Sequence, residues 1–468
     1  MRQQSDSTAV ADSLPLQELE RVSIDVDYHH PLLRLKRALD WEAIQRVMVA
    51  AWRKANQNID GRPGLSWPVS LYVPLLVLML VKKFDSRQME RYLAENVVAR
   101  VFLSRQDDPT PQIRDHSSIA RALEALGAEG VQQVNHLIVQ QAERYGFADP
   151  ALVSGDTTAQ ELPIGYPNEP GILRGLAQRC LRALVRLSQK GVAAVEETIQ
   201  QAKTVLKSVK QYHLFTKQKK EKDLLLRRII EQTQDLIRGA SGVVETVGQS
   251  TDRVQKSACQ KLLQMKQVAQ TLIPQIMQWM STGVVAKGKI VHAGITQARA
   301  IVRNKVGKKV EFGLKYLVNR IGGGYVFGKL VAANSDERKM PLETLSSYRE
   351  VFGKAATPEW ISYDRGGWSE LGVKKLEKAG IKKIGIEPKG KADWLIAEED
   401  QKRVKSERGK MEGSIGTLKS EKYGFNKPKE RKWEMIQAAG QRSMVSLNLN
   451  KLMRDLVTVS QQAKTIEA

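Results

Sequence analysis

The sequence predicts an α/β protein: an all-helical N-terminal unit, then a strand-and-helix core interrupted by a long helical segment. Three observations predict it. From about 31 to 149 the apolar spacing is helical, with no strand-like alternation. Short apolar runs ending in acidic residues or glycine turns begin at Ala151 and recur after Gly313. Between these blocks, apolar residues repeat at three- and four-residue steps. A chain of 468 residues, 42% apolar, has room for two or three domains with real cores.

Residues 1–30 are polar and mixed, the pattern of a loose arm. The helical unit, residues 31–149, follows as RLKRALDWEAIQRVMVAAW, the apolar run VSLYVPLLVLMLV from Val69, SRQMERYLAENVVARVFL, and SSIARALEALGAEGVQQVNHLIVQQAERYG. Gly61, Pro63 and Gly64 mark its first break, and Pro109 with Pro111 a later one. Ser86 stands as one N-cap and Ser117 or Ser118 as another. The run from Val69 is too short to span a bilayer and is followed at once by Lys82 and Lys83, so it reads as a buried helix.

ALVSGDTT reads as a strand closed by Asp156. Gly313–Asn334 reads as two strands around Gly322–Gly324, Pro341–Gly353 as an amphipathic helix, and Glu359–Gly367 as a strand entering a glycine turn. Gly372–Gly380 is a short helix closed by glycine, Ile381–Pro388 another strand, and the rest to Val457 is helical with a break near Tyr423–Pro428. The interruption, residues 171–307, carries seams such as Val195, Ile199, Ala202, Leu206 and Ile230, Thr233, Ile237, Ala240. A helical hairpin or coiled coil is expected, with Gly239 and Gly242 as its turn. TKQKKEK, beginning at Thr216, lies off the seam. Phosphate contact is one reading of it and a solvated helix face the commoner one.

Lys and Arg outnumber Asp and Glu by 74 to 51, a net charge of +23, which points to a polyanion, with nucleic acid first and a merely basic surface as the alternative. Cys180 and Cys259 are the only cysteines, too few for a disulfide framework or a four-cysteine zinc site, and the six histidines show no metal spacing. The N-terminus has no apolar core of signal-peptide length. A soluble cytoplasmic protein, without a membrane partner, is therefore expected.

Three acids stand out by position. Asp156 and Asp364 each end a strand, and Glu412 sits in the helical string RVKSERGKMEGSIGTLKSEKYGF. Two strand-end aspartates and a helical glutamate can converge at one edge of a mixed sheet. There they suit two Mg²⁺ (or Mn²⁺) ions, hard cations that take few carboxylates and keep waters. Such a pair serves in-line phosphodiester displacement by water or a DNA 3′-hydroxyl. Each acid alone is a weak signal, more commonly a turn, cap or solvated residue.

A family resemblance joins them. Arg408, Glu412 and Lys419 resemble the Arg-x3-Glu-x6-Lys signature of DDE-class insertion-sequence transposases. DTTAQELPIGYPNEPGILR, from Asp156, resembles the stretch after their first aspartate, and YDRGGWS their second-aspartate strand. GRPGLSWP, SRQMERYLAENVVARVFL and DHSSIARAL are similar to their N-terminal domain, so the resemblance covers about residues 30 to 457. The chain departs from the signature at Lys405, where the family has tyrosine, and at PNEPGIL, where a threonine-aspartate-serine turn belongs.

The resemblance implies a ribonuclease-H-like mixed-sheet core from residues 150–170 and 308–457, with the coiled coil inserted after the first strand and a tail from 458 to 468. It implies strand cleavage and strand transfer at the element's terminal inverted repeats and into target double-stranded DNA, by a homodimer that pairs two ends across the coiled coil. Arg408, Lys405, Lys419 and Arg365 would contact phosphates. Trp368 is either a core aromatic or a platform for an unpaired base. His116 reads as a cap or core residue. Helix-turn-helix readings at Ser86–Leu103 and Ser117–Leu126 stand beside plain bundle packing. The alternatives in function are a metal-dependent nuclease without joining activity and a non-enzymatic DNA-organising protein.

Overall fold

The computed structural model describes residues 26–57, 69–104, 115–214, 218–302, 310–390, 394, 396–430 and 432–466. The expectations for the N-terminal arm before residue 26, for GRPGLSWP and for the Pro109–Pro111 break lie outside the described residues. The first part of the chain folds into α1 (Pro31–Ala38), α2 (Trp41–Gln57), α3 (Val69–Lys82), α4 (Ser86–Glu95), α5 (Val97–Leu103) and α6 (His116–Arg144). Almost every side chain of α3 is buried, which its unbroken apolar sequence requires. No helix among the described residues is long and apolar enough to cross a membrane.

Two caps differ from the serines expected. Asp85 starts α4, accepting from the Arg87 and Gln88 N–H groups while Gln88 reaches back to its N–H, and Asp115 starts α6 by accepting from Ser117 and Ser118. A carboxylate accepts two N–H groups at the positive end of a helix better than a hydroxyl does, so the aspartates take the caps and the serines fall inside. His116 caps nothing; its Nδ1 lies 3.4 Å from Glu90 at the surface.

The sheet begins with β1 (Asp149–Glu161) and continues, after a long helical excursion, with β2 (Arg299–Val302), β3 (Val310–Gly322), β4 (Val326–Val331), β5 (Trp360–Ser362) and β6 (Lys383–Gly385). Its order is β2-β3-β1-β5-β6, with β4 also on β3. β3 runs antiparallel to β1, β2 and β4, whereas β1, β5 and β6 are parallel. β2 falls inside the segment read from sequence as insertion, so the sheet resumes before residue 308.

Alternation along the strands divides the side chains between two faces. Val153, Leu317, Ile321, Phe327 and Ile361 share one core with the N-terminal helices, with α11 (Met340–Phe352) and with α14 (Trp433–Ile466). Leu152, Trp360, Tyr316 and Val318 face the other way, towards Val404, Met411, Ile415 and Leu418 of α13 (Glu398–Lys419). The short α12 (Glu370–Lys378) follows β5 and is ended by Gly380 at φ +92°. α14 packs on α1, α3 and α6 as well as β4, so the end of the chain closes the bundle that its beginning starts. At that junction Asn448 donates to the Val326 carbonyl (2.6 Å) and to Asn135 Oδ1 (2.8 Å), and its own Oδ1 accepts from Val326 N–H (2.9 Å).

The excursion between β1 and β2 is four helices: α7 (Glu169–Ser188), α8 (Glu196–Leu214), α9 (Lys219–Val247) and α10 (Arg253–Thr282). They pack in a closed ring, α7 on α8 and α10 and α9 on both, around Leu176, Cys180, Ala202, Ile229, Leu236, Leu262 and Ile276. This corrects the hairpin or coiled coil: the apolar stripe is consumed within the chain. Gly239 and Gly242 lie inside α9, not at its turn. A Cβ on Gly239 would press on Gln201 and Thr198 of α8, so its role is close helix approach. The turn runs from Gly248 to Asp252, which caps α10. Lys219, Lys220 and Glu221 are exposed, as a solvated face requires.

The Asn448 junction gives a prediction. Asn448→Leu strands the buried Val326 N–H and an Asn135 oxygen, at about 1–3 kcal/mol for each unpaired group. Urea unfolding should show a loss of that size, and an unchanged midpoint would mean that the junction carries no stability.

Candidate active site

β1 is hydrogen-bonded to β3 along nearly its whole length, through Glu161 paired with Gly313, but to β5 only at Leu152, Val153 and Ser154. Asp156 therefore does not close its strand as expected. It lies inside β1, two residues past the point where β5 leaves it. Asp364 lies two residues past Ser362, the partner of Ser154. The parallel register thus carries Asp156 and Asp364 to the same level on neighbouring chains, at the carboxyl end of β5, where open α/β sheets place their sites. Gly155 permits this. A Cβ there would collide with Thr344 of α11, which packs against the strand just beneath Asp156.

Both aspartates are half-buried. Asp364 sits before the 3-10 turn Arg365–Gly367 without capping it by its side chain, and its Oδ1 is buried without a hydrogen-bond partner. Tyr363, next to Asp364 in the chain, packs on the opposite face in the main core. Its hydroxyl donates to Glu337 Oε2 (2.8 Å), and its ionisation is pushed strongly upward, first by burial and then by the charges of Glu337, Asp156 and Asp364. Glu337 also accepts from Thr157 (2.9 Å) and pairs with Lys315 (2.7 Å). Glu337, Tyr363 and Lys315 were not singled out from sequence. Glu337 belongs to a 3-10 turn, Glu337–Lys339, where no periodicity marks it.

α13 covers the face to which Asp156 belongs. Arg320, paired in register with Ser154, forms an ion pair with Glu407 (2.7 Å), both side chains nearly buried. Further on, Gln160 donates to the Phe425 carbonyl just beyond the helix. α13 therefore climbs beside β1 in the same direction. Two strand residues rise about 6.6 Å, the rise of about four helical residues. That sets the level of Asp156 beside Met411 and Glu412, four and five residues beyond Glu407. Met411 is buried and Glu412 is exposed.

Of the other expected residues, Lys405 and Arg365 are exposed and Arg408 is half-buried. Lys419 lies 3.9 Å from Glu311, so it already has an acidic neighbour. Trp368 is half-buried against the main core, the aromatic-core reading of the two. Among the described residues no three or more His, Cys, Asp or Glu side chains are gathered as a metal-holding group. Two are brought level, and the unpartnered Asp364 oxygen beside Asp156 is the donor chemistry that a hard, water-keeping cation takes.

Residues 20–125 match a family model described as a transposase domain (DUF772). No curated protein and no solved structure matches the chain. The match spans α1 to α5 and the start of α6, and it supports a transposase.

The Tyr363 contact is testable. Tyr363→Phe removes one donor from a carboxylate that keeps Thr157 and Lys315, so stability should fall by about 1 kcal/mol in chemical denaturation. A loss several times larger would mean that the hydroxyl organises more than Glu337.

Proposed function

We propose that the chain is a DNA transposase of the DDE class, cleaving strands at the ends of its element and joining them to target DNA, with Asp156, Asp364 and Glu412 as its acidic residues. The observation that carries this reading is the β1–β5 register, which sets two carboxylates level at the end of a parallel strand pair. The transposase-domain match at the N-terminus supports it independently. So does the strand arrangement, with β4, β3 and β1 antiparallel and then β5 and β6 parallel to β1, as a ribonuclease-H-like core would require.

Two Mg²⁺ or Mn²⁺ ions held by the three acids would supply charge stabilisation for the attacking and leaving oxygens of an in-line displacement. The chain's own residues supply the rest. The Asp364 oxygen and the Asp156 carboxylate bind from two adjacent strands, so their spacing is set by backbone pairing. Glu412, exposed on α13, would have to turn inward to join them when DNA arrives. Lys405, Arg408 and Arg365, all with some exposure, would serve as phosphate contacts, which fix register without reading sequence. Tyr363, kept protonated, donates to Glu337. A homodimer, one copy for each element end, belongs to this reading.

The test uses the terminal inverted repeats that should flank the gene. With Mg²⁺ or Mn²⁺ the protein should cut such ends and join pre-cut 3′ ends to a plasmid. Asp156→Asn, Asp364→Asn and Glu412→Gln should each reduce both steps by at least about a hundredfold, since even an outer-shell change at a metal site costs 10–100-fold. Cutting without joined product would make the chain a nuclease. Unchanged activity in Asp364→Asn would remove the catalytic reading and leave a DNA-organising protein.

A further inference from the structure

The end of α3, the start of α4 and the segment between α13 and α14 enclose an open cleft of about 850 Å³. Lys82, Lys83, Lys422, Lys427 and Lys429 line it. Of the other charged groups at its walls, Lys432 pairs with Glu124, Arg442 with Glu430, and Asp85 with the amides of α4, and the exposed Glu421 stands beside Lys422. Among the described residues no carboxylate pairs with the five lysines. Lys83 donates to Ser443 Oγ (3.0 Å), and burial, reinforced by Arg442 and partly offset by the charge of Glu430, pushes its ammonium down to about 7.

The backbone makes the same point. Among the described residues, just two other than glycine have positive φ, Lys83 at 57° and Lys427 at 51°, and both line this cleft. Non-glycine residues avoid that region, and such strain gathers where a ligand is gripped. Lys427 is also tied to the active strand: its N–H donates to the Glu161 carbonyl (2.7 Å), and Asn426 Oδ1 accepts from Glu161 N–H (3.1 Å). Glu161 lies five residues beyond Asp156, roughly 17 Å along β1. That is about five base-pair steps of duplex DNA at 3.4 Å each.

We propose that this lysine cleft grips the sugar-phosphate backbone of duplex DNA about five base pairs from the position where Asp156 and Asp364 act. The inference rests on the transposase reading and gives it a DNA path: one wall comes from the segment that matches the transposase domain, the other from the chain leading out of α13. A phosphate in the cleft supplies counter-charge to lysines that have no ion-paired carboxylate, and contacts of this kind hold the duplex in register irrespective of sequence.

The test is equilibrium binding of a fluorescent 30-base-pair duplex to the full-length protein across a salt series. Lys422, Lys427 and Lys429 are exposed, so the triple change Lys422→Gln, Lys427→Gln, Lys429→Gln should leave the fold intact by circular dichroism. It should flatten the slope of log affinity against log salt by up to about 2.7, about 0.9 for each phosphate that is no longer neutralised, and weaken binding at 0.1 M salt by roughly a hundredfold. A control triple on the bundle, Arg182→Gln, Arg186→Gln, Lys261→Gln, should change neither. Wild-type affinity and slope in the cleft variant, equal losses in both triples, or no duplex binding by the unaltered protein would each overturn the proposal. Asp364→Asn separates the two readings. If it binds normally while the cleft triple does not, the cleft stands whether or not the chain cuts DNA.

Discussion

Three residue pairs hold the arrangement together: Leu152 with Trp360, Val153 with Ile361 and Ser154 with Ser362. This parallel contact is short, and a short parallel ladder is weak by itself. It is secured because β1 is zipped to β3 along its other edge and because both faces of the sheet are covered. β3 thereby lets β1 project beyond β5, which is why an acidic residue can sit inside a strand and still lie at the open end of its parallel neighbour. Slipping the pairing by one residue would move Asp156 out of level with Asp364 and reverse the faces, sending Val153 towards α13 and Leu152 into the main core.

α13 is held against this frame by more than apolar contact. The Arg320–Glu407 pair is largely shut off from water, a geometry in which desolvation offsets most of the attraction. Its contribution is better described as register than as stability: neither charge tolerates an unpaired position, so the helix cannot slide by a turn along β1. That fixes the height at which Glu412 stands. Lys383 with Asp400 (2.9 Å) does the same near the start of the helix.

Much of this was legible in the sequence because period and punctuation agree with tertiary structure there. The hairpin around Gly322–Gly324, the helix begun near Pro341, the strand before Asp364 and the glycine-closed α12 all follow local rules that packing did not override. The positions that escaped depend on partners far along the chain. Nothing near Glu337 announces that Thr157 and Tyr363 will donate to it, and nothing in ALVSGDTT says that β3 will extend the strand to Glu161. The seam of the excursion was visible, but a three-four repeat looks alike whether its partner is another copy or the next helix. The aspartate caps were missed because Asp85 and Asp115 each stand one to three places ahead of the serines that draw the eye. The candidate acids stood out by position, but only the resemblance joined them, since each one alone looks like an ordinary turn or surface residue.

The four-helix excursion has its own core, and its two ends are fastened to each other. Glu169, at the start of α7, is bonded to Lys289, beyond α10, across a separation of 120 residues. The entropy lost in bringing distant strands together rises with the logarithm of the intervening length. A bundle that has already formed and buckled its own ends replaces that long intervening chain with a compact bead. For β1 and β3 the meeting then becomes nearly as local as that of neighbouring hairpin strands, and the largest detour in the chain ceases to be an obstacle to their pairing.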